Sequence, residues 1–130
     1  MSATPTSRKA ARRQALFLLY QWDLTGQDLA SLFEGDPDDF ARSLAEAVVA
    51  RAPQLDVRIT SASPDWPSER LGALERNILR IGVLELEEET VPREVAINEA
   101  VVLAKRYASE DAARLVNGIL GRIAREEEAA

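Results

Sequence analysis

Leu71-Gly-Ala-Leu-Glu-Arg-Asn-Ile-Leu-Arg-Ile-Gly-Val-Leu-Glu-Leu-Glu-Glu88 is the stretch that decides the fold class. Leu71, Leu74, Ile78, Ile81 and Leu84 recur at three- and four-residue intervals, the repeat of one helical face. A strand would alternate every second residue, and this segment does not. Downstream, Pro92 suits the first turn of a further helix that runs to about Tyr107, with Ile97, Ala100, Val101 and Ala104 inward. Ser109 can cap a last helix, with Glu110 and Asp111 in its first turn and Leu115, Val116, Ile119, Leu120 and Ile123 inward. The Glu126, Glu127, Glu128 run that follows is expected to be solvated and to fray. Asn98 and the pair Asn117-Gly118 interrupt these two helices. The asparagines are expected to bond between helices, and Gly118, which costs about 1 kcal/mol against Ala, implies a close helix approach.

Upstream, Ser61 to Ser68 holds two prolines and three serines and reads as a loop, the best boundary in the chain. Leu55, Val57 and Ile59 alternate, but a lone strand would have no partner, so residues 53–63 are assigned a short helix. Asp36-Pro37 is expected to open a second helix with Phe40, Leu44, Ala47 and Val48 on its apolar stripe, ended by Pro53. The first helix is expected from about Ser7, its cap, to Leu24, with Gly26 in the left-handed position just beyond. Ala11, Ala15, Leu18, Leu19 and Trp22 share its inward face. The expectation is an all-α protein of about six to seven helices in two docked bundles. Residues 1–130 form a single domain, with an N-terminal half of about 1–60 and a C-terminal half of about 68–126.

The chain has neither cysteine nor histidine. That removes disulfides, thiolate and imidazole metal ligands, and histidine acid–base chemistry. A carboxylate-only metal site would need several of the 22 acids to converge, and no metal site or cofactor is expected. No catalytic constellation or glycine-rich cofactor loop is visible, so the chain is read as a binding protein rather than an enzyme. No apolar run approaches the roughly 18 residues of a membrane span, and no secretory cleavage site follows the basic start. A cytoplasmic location is expected.

Net charge is −6, yet residues 1–22 carry Arg8, Lys9, Arg12 and Arg13 and no acid. A +4 start therefore sits on a body of −10. At 100° per residue these four cations span an arc of about 140° on the first helix. Tyr20 lies between Lys9 and Arg13 in angle and further along the axis. Cations with a nearby planar ring suit single-stranded RNA, phosphates meeting the charges and an unpaired base the ring. Tyr20 packed at the core edge, with its hydroxyl in water, fits the same position.

Four strings settle the direction. Val91-Pro-Arg-Glu-Val-Ala-Ile-Asn-Glu-Ala100 follows the opening stretch. Then come Val102-Leu-Ala-Lys-Arg-Tyr107, Ser109-Glu-Asp111 and Leu115-Val-Asn-Gly-Ile-Leu120. With the basic opening Arg8-Lys-Ala-Ala-Arg-Arg-Gln-Ala-Leu-Phe-Leu-Leu-Tyr-Gln-Trp-Asp-Leu24, they closely resemble the NusB family of transcription antitermination factors. The resemblance spans nearly the whole chain and is weakest over 27–67. It implies binding of the single-stranded boxA element of nascent RNA and a heterodimer with NusE, the ribosomal protein that doubles as a transcription factor. It also implies work with other Nus factors at RNA polymerase, in support of processive ribosomal RNA synthesis. It places Arg8, Lys9, Arg12, Arg13 and Tyr20 at the RNA surface, Asp111 near RNA, and Glu75 on the NusE side. Leu115 stands where some relatives carry an RNA-contacting Phe, with Tyr107 able to compensate. Leu84 stands where relatives often have Tyr, at the partner surface. Two alternatives remain at this point: a homodimeric helical module with its RNA site masked, and a stand-alone relative of the NusB-like domain of RNA methyltransferases.

Overall fold

The computed structural model describes residues 7–129. Five α-helices follow in order: α1 (Arg8–Thr25), α2 (Asp39–Ala62), α3 (Ala73–Glu88), α4 (Arg93–Tyr107) and α5 (Glu110–Ala129). Two short 3-10 turns, Leu29–Leu32 and Ser68–Arg70, sit in the connections. No strand occurs among the described residues. The expected all-α class is observed, with five α-helices in place of six or seven.

The missing helix was absorbed by α2, which runs straight through Pro53. Proline in a helix interior removes a backbone hydrogen bond and costs about 3 kcal/mol. Here Ala52, Leu55, Ile59 and Ala62 carry on the buried stripe of Leu44, Ala45 and Val48, while Pro53 itself faces solvent. Burying Leu55 and Ile59 completely offsets that cost, at about 1.5–3 kcal/mol for each side chain. The apparent alternation of Leu55, Val57 and Ile59 is thus an i, i+4 pair around a Val57 that is 68% exposed.

Ser7 accepts from the Ala10 amide and Gly26 ends α1 at φ 71°, both as expected. Ser109 Oγ likewise accepts from the Ala112 amide at 3.0 Å. The cap of α2 is Asp38, not Asp36; it accepts from Phe40 and Ala41. Helix α3 lies at the centre, packed against each of the other four. All ten residues from Asn77 to Leu86 are buried on it. The apolar residues of all five helices therefore form one cluster around α3, rather than two separately cored bundles.

The acidic end of α5 is helical and held by ion pairs. Arg58 pairs with Glu126 and Glu127, and Arg93 pairs with Glu128 at 2.9 Å.

Two glycines exchange the roles expected of them. A Cβ on Gly118 would meet nothing within 4 Å, so that glycine marks no close approach. A Cβ on Gly82 would lie 2.6 Å from Cδ1 of the fully buried Leu120. Gly118→Ala should then stabilise by up to about 1 kcal/mol through helix propensity. Gly82→Val should destabilise by about 1–3 kcal/mol through overpacking. Urea unfolding of the two variants checks this; shifts of the same sign would refute it. Asn98 and Asn117 are exposed and make no hydrogen bond among the described residues, so the expected inter-helix bonds do not form.

Candidate nucleic-acid interface

Helix α1 opens against its own dipole. Its first turn holds no acid, and Arg8 and Lys9 stand at the positive end. Cations there forfeit roughly 0.3–1 kcal/mol each. Such a local conflict is expected where a site matters more than stability. Arg8 is exposed, its guanidinium 4.5 Å from the Phe40 ring centroid. Lys9 is 71% exposed at the side chain, with Nζ 3.5 Å from Glu99 on α4. Arg13 is half-buried and makes no ion pair among the described residues.

Arg12 departs from this strip. It is 3% exposed. Its Nε donates to Glu85 Oε1 at 2.9 Å and its Nη2 to Oε2 at 2.8 Å. That hydrogen bond raises the guanidinium pKa above its ordinary value despite burial, with added attraction from Glu85 and Glu99. The expectation that Arg12 faces RNA is corrected. Its place on the helix wheel borders the face that α3 covers, and Glu85 supplies a buried partner.

Tyr20 is half-buried, one turn beyond Phe17. Phe17 is 44% exposed and meets Tyr107 edge to face, at a centroid separation of 5.0 Å. Arg106 lies 5.3 Å from the Tyr107 centroid, and Lys105 beside it is exposed. The end of α4 thus adds two cations and a ring to the α1 strip. Phe17, Lys105 and Arg106 were missed in the sequence because each has an ordinary local reading. Phe17 looks like core in an apolar run, and the basic pair looks like a helix C-terminus matching its dipole. The usable signal was Phe17 at four residues from Arg13 and three from Tyr20, on neighbouring positions of one helix surface.

Asp111 is exposed and pairs with Arg114 in the first turn of α5. It follows Tyr107 by four residues, across the α4–α5 turn. Leu115 is half-buried and packs against the core. On α3 the two expected partner-facing residues do not form one surface. Glu75 is half-buried, its carboxylate folded back over Gly72, where a Cβ would collide with it. Leu84 is 1% exposed, below Phe40 and Leu44, so its expected role as a contact residue is corrected to one in the core.

A second polar constellation had no sequence signal. Asp23 Oδ2 accepts from Arg76 Nε at 2.8 Å, Asn77 Nδ2 at 3.0 Å and Arg80 Nη1 at 3.1 Å. Arg80 also holds Asp56 through two bonds of 2.7 Å. The cluster ties α1, α2 and α3 together at the floor of an open groove of about 580 Å³. Burial pushes the Asp23 carboxyl upward. The Arg76 hydrogen bond, the Arg80 and Arg76 charges and the Asn77 bond outweigh it, holding the pKa below its ordinary value. No group of three or more acids able to hold a metal occurs among the described residues. None of the described helices is long and apolar enough to cross a membrane.

The family model described as the NusB family matches residues 9–125. The chain belongs to the NusB family. A transcription antitermination protein NusB from Rubrobacter xylanophilus is 40% identical over 121 residues, covering 88% of this chain and 87% of that protein. Among solved structures, NusB of T. maritima superposes with a TM-score of 0.84 at 31% identity, covering 95% of this chain and 94% of that one. A crystal structure of the antitermination factors NusB and NusE in complex with dsRNA aligns at TM-score 0.79 and 32% identity, covering 92% and 96%. Within the family strings, Asn98, Asn117 and Gly118 face outward, while Ala96, Ala100, Leu103, Val116, Ile119 and Leu120 belong to the core.

Proposed function

We propose that this protein is a transcription antitermination factor that binds boxA RNA together with NusE and, with other Nus factors at RNA polymerase, supports processive transcription of ribosomal RNA operons. The observation that carries the RNA part is the α1–α4 edge. There Lys9 reaches Glu99 on α4 and Phe17 meets Tyr107 beside Arg106, with Arg13 and the exposed Lys105 on the same two helices, on a molecule of net charge −6; Arg8 and Tyr20 are assigned to the RNA surface from their place on α1. The relative solved with NusE and dsRNA supports the same reading.

The mechanism is binding, with no bond made or broken. Phosphates meet the cations, and unpaired bases meet the rings. The acidic remainder repels RNA elsewhere, which confines it to this edge. Holding RNA and polymerase together raises the effective concentration of one for the other. Glu75, at the start of α3, is assigned to the NusE side; Asp111 tunes charge beside the RNA.

The test is titration of a boxA RNA with and without NusE across a salt series. Three to five cationic contacts correspond to a log–log salt slope of roughly −2 to −3.5 for a single strand. Lys9→Glu with Arg13→Glu should weaken binding by about tenfold or more and flatten that slope by about 1.4. NusE should tighten wild-type binding, and Glu75→Lys should remove the tightening. Unchanged RNA affinity in the double variant would refute the strip.

A further inference from the structure

We infer that the groove between α1 and the segment before α2 is a subsite for one unpaired nucleobase, an inference that rests on the RNA reading above. The groove holds about 250 Å³ and is lined by Gln14, Phe17, Gln21, Phe33 and Glu34, among others. That volume lies just below the range typical of drug-sized ligands, in keeping with a single ring system.

Its lining matches a base in kind. Phe17 and Phe33 supply aromatic surface, and base–aromatic stacking is tolerant of sequence because every base has a π-face. Gln14 and Gln21 are exposed and make no side-chain hydrogen bond among the described residues. Each amide offers a donor and an acceptor, the complement of a base edge. Glu34 adds an acceptor for a ring N–H or an exocyclic amino group.

The groove is continuous with the strip. Phe17 belongs to both, meeting Tyr107 on one side and lining the groove on the other. Arg13 immediately precedes Gln14. A phosphate held by Arg13 would leave its base within reach of the groove. Glu34, with Asp36 and Asp39 close behind in sequence, disfavours a phosphate inside, so only the base enters.

The experiment is an abasic scan. A boxA RNA is made abasic at each position in turn and titrated against the full chain, wild type and Phe17→Ala, with thermal melts to verify folding. In wild type, one position should lose about 5- to 150-fold in affinity when its base is removed. In Phe17→Ala the intact RNA should bind correspondingly more weakly, and that same position should lose little more. Gln21→Ala, at an exposed position, should weaken binding several-fold without altering the melt, and Phe17→Trp should restore affinity. Equal abasic losses in wild type and Phe17→Ala, with Gln21→Ala unchanged, would overturn the subsite while leaving RNA binding intact. A wild type silent toward RNA would overturn the functional reading itself. Loss of NusE binding, with RNA affinity unmoved in both variants, would make the groove a protein-docking site and overturn the assignment to a base.

Discussion

Arg12→Ala is expected to lower unfolding free energy by about 3–5 kcal/mol, the cost typical of stranding one member of a buried ion pair. The Glu85 carboxylate would remain inside the protein, 3% exposed, with its two-point partner gone. Replacing both groups, Arg12→Met with Glu85→Leu, should recover most of the loss, because apolar groups of similar volume need no partner. Urea unfolding of the single and double variants measures both. The same double variant separates structure from recognition: its boxA affinity should stay within about threefold of wild type, a difference under 1 kcal/mol. A single variant as stable as wild type would refute the pair's structural role. A double variant that folds but loses RNA would return Arg12 to the contact surface.

The second large effect is expected at Asp23. Asp23→Ala leaves Arg76 Nε, Asn77 Nδ2 and Arg80 Nη1 without their shared acceptor. Arg80 is 5% exposed and keeps only Asp56 and the Asn77 carbonyl oxygen. A loss of about 1–3 kcal/mol follows from donors left short of an acceptor, since Arg80 keeps Asp56 and Arg76 keeps two backbone carbonyls. The pH dependence has a definite sign. Folding lowers the Asp23 pKa below 3.8, so between the folded and unfolded values the unfolded chain binds more protons. Its contribution is complete above the unfolded value and is lost as pH falls through the folded one. Wild type should therefore lose stability more steeply than Asp23→Asn below about pH 4. Chemical unfolding across an acid series checks this, and parallel curves would remove Asp23 from the acid response.

Most of the helices were legible because their signals are local. A serine before Arg8, a glycine after Thr25 and a serine before Glu110 each act within one turn, so neighbouring residues reveal them. The error at Pro53 has the same origin. A local rule ended the helix, and burial of Leu55 and Ile59 against other helices overrode it. The α1 cations were legible as a group, since they adjoin in sequence. Their division was not. Lys9 and Arg13 stay outside while Arg12, between them, turns to a glutamate 73 residues away.

By itself the sequence determined the all-α class, the inward stripe of each helix, the family strings and the concentration of positive charge at the start of the chain. These follow from a fixed 100° step per residue and from composition, which need no knowledge of neighbours. Only the tertiary structure decided that Arg12 is an interior tie, that Asp23 gathers three donors, and that Gly82 rather than Gly118 is where helices close in. It also decided that Phe17 meets Tyr107 at an open edge. Each depends on which distant helix covers a boundary position, and a helix repeat marks such positions without saying what will lie against them.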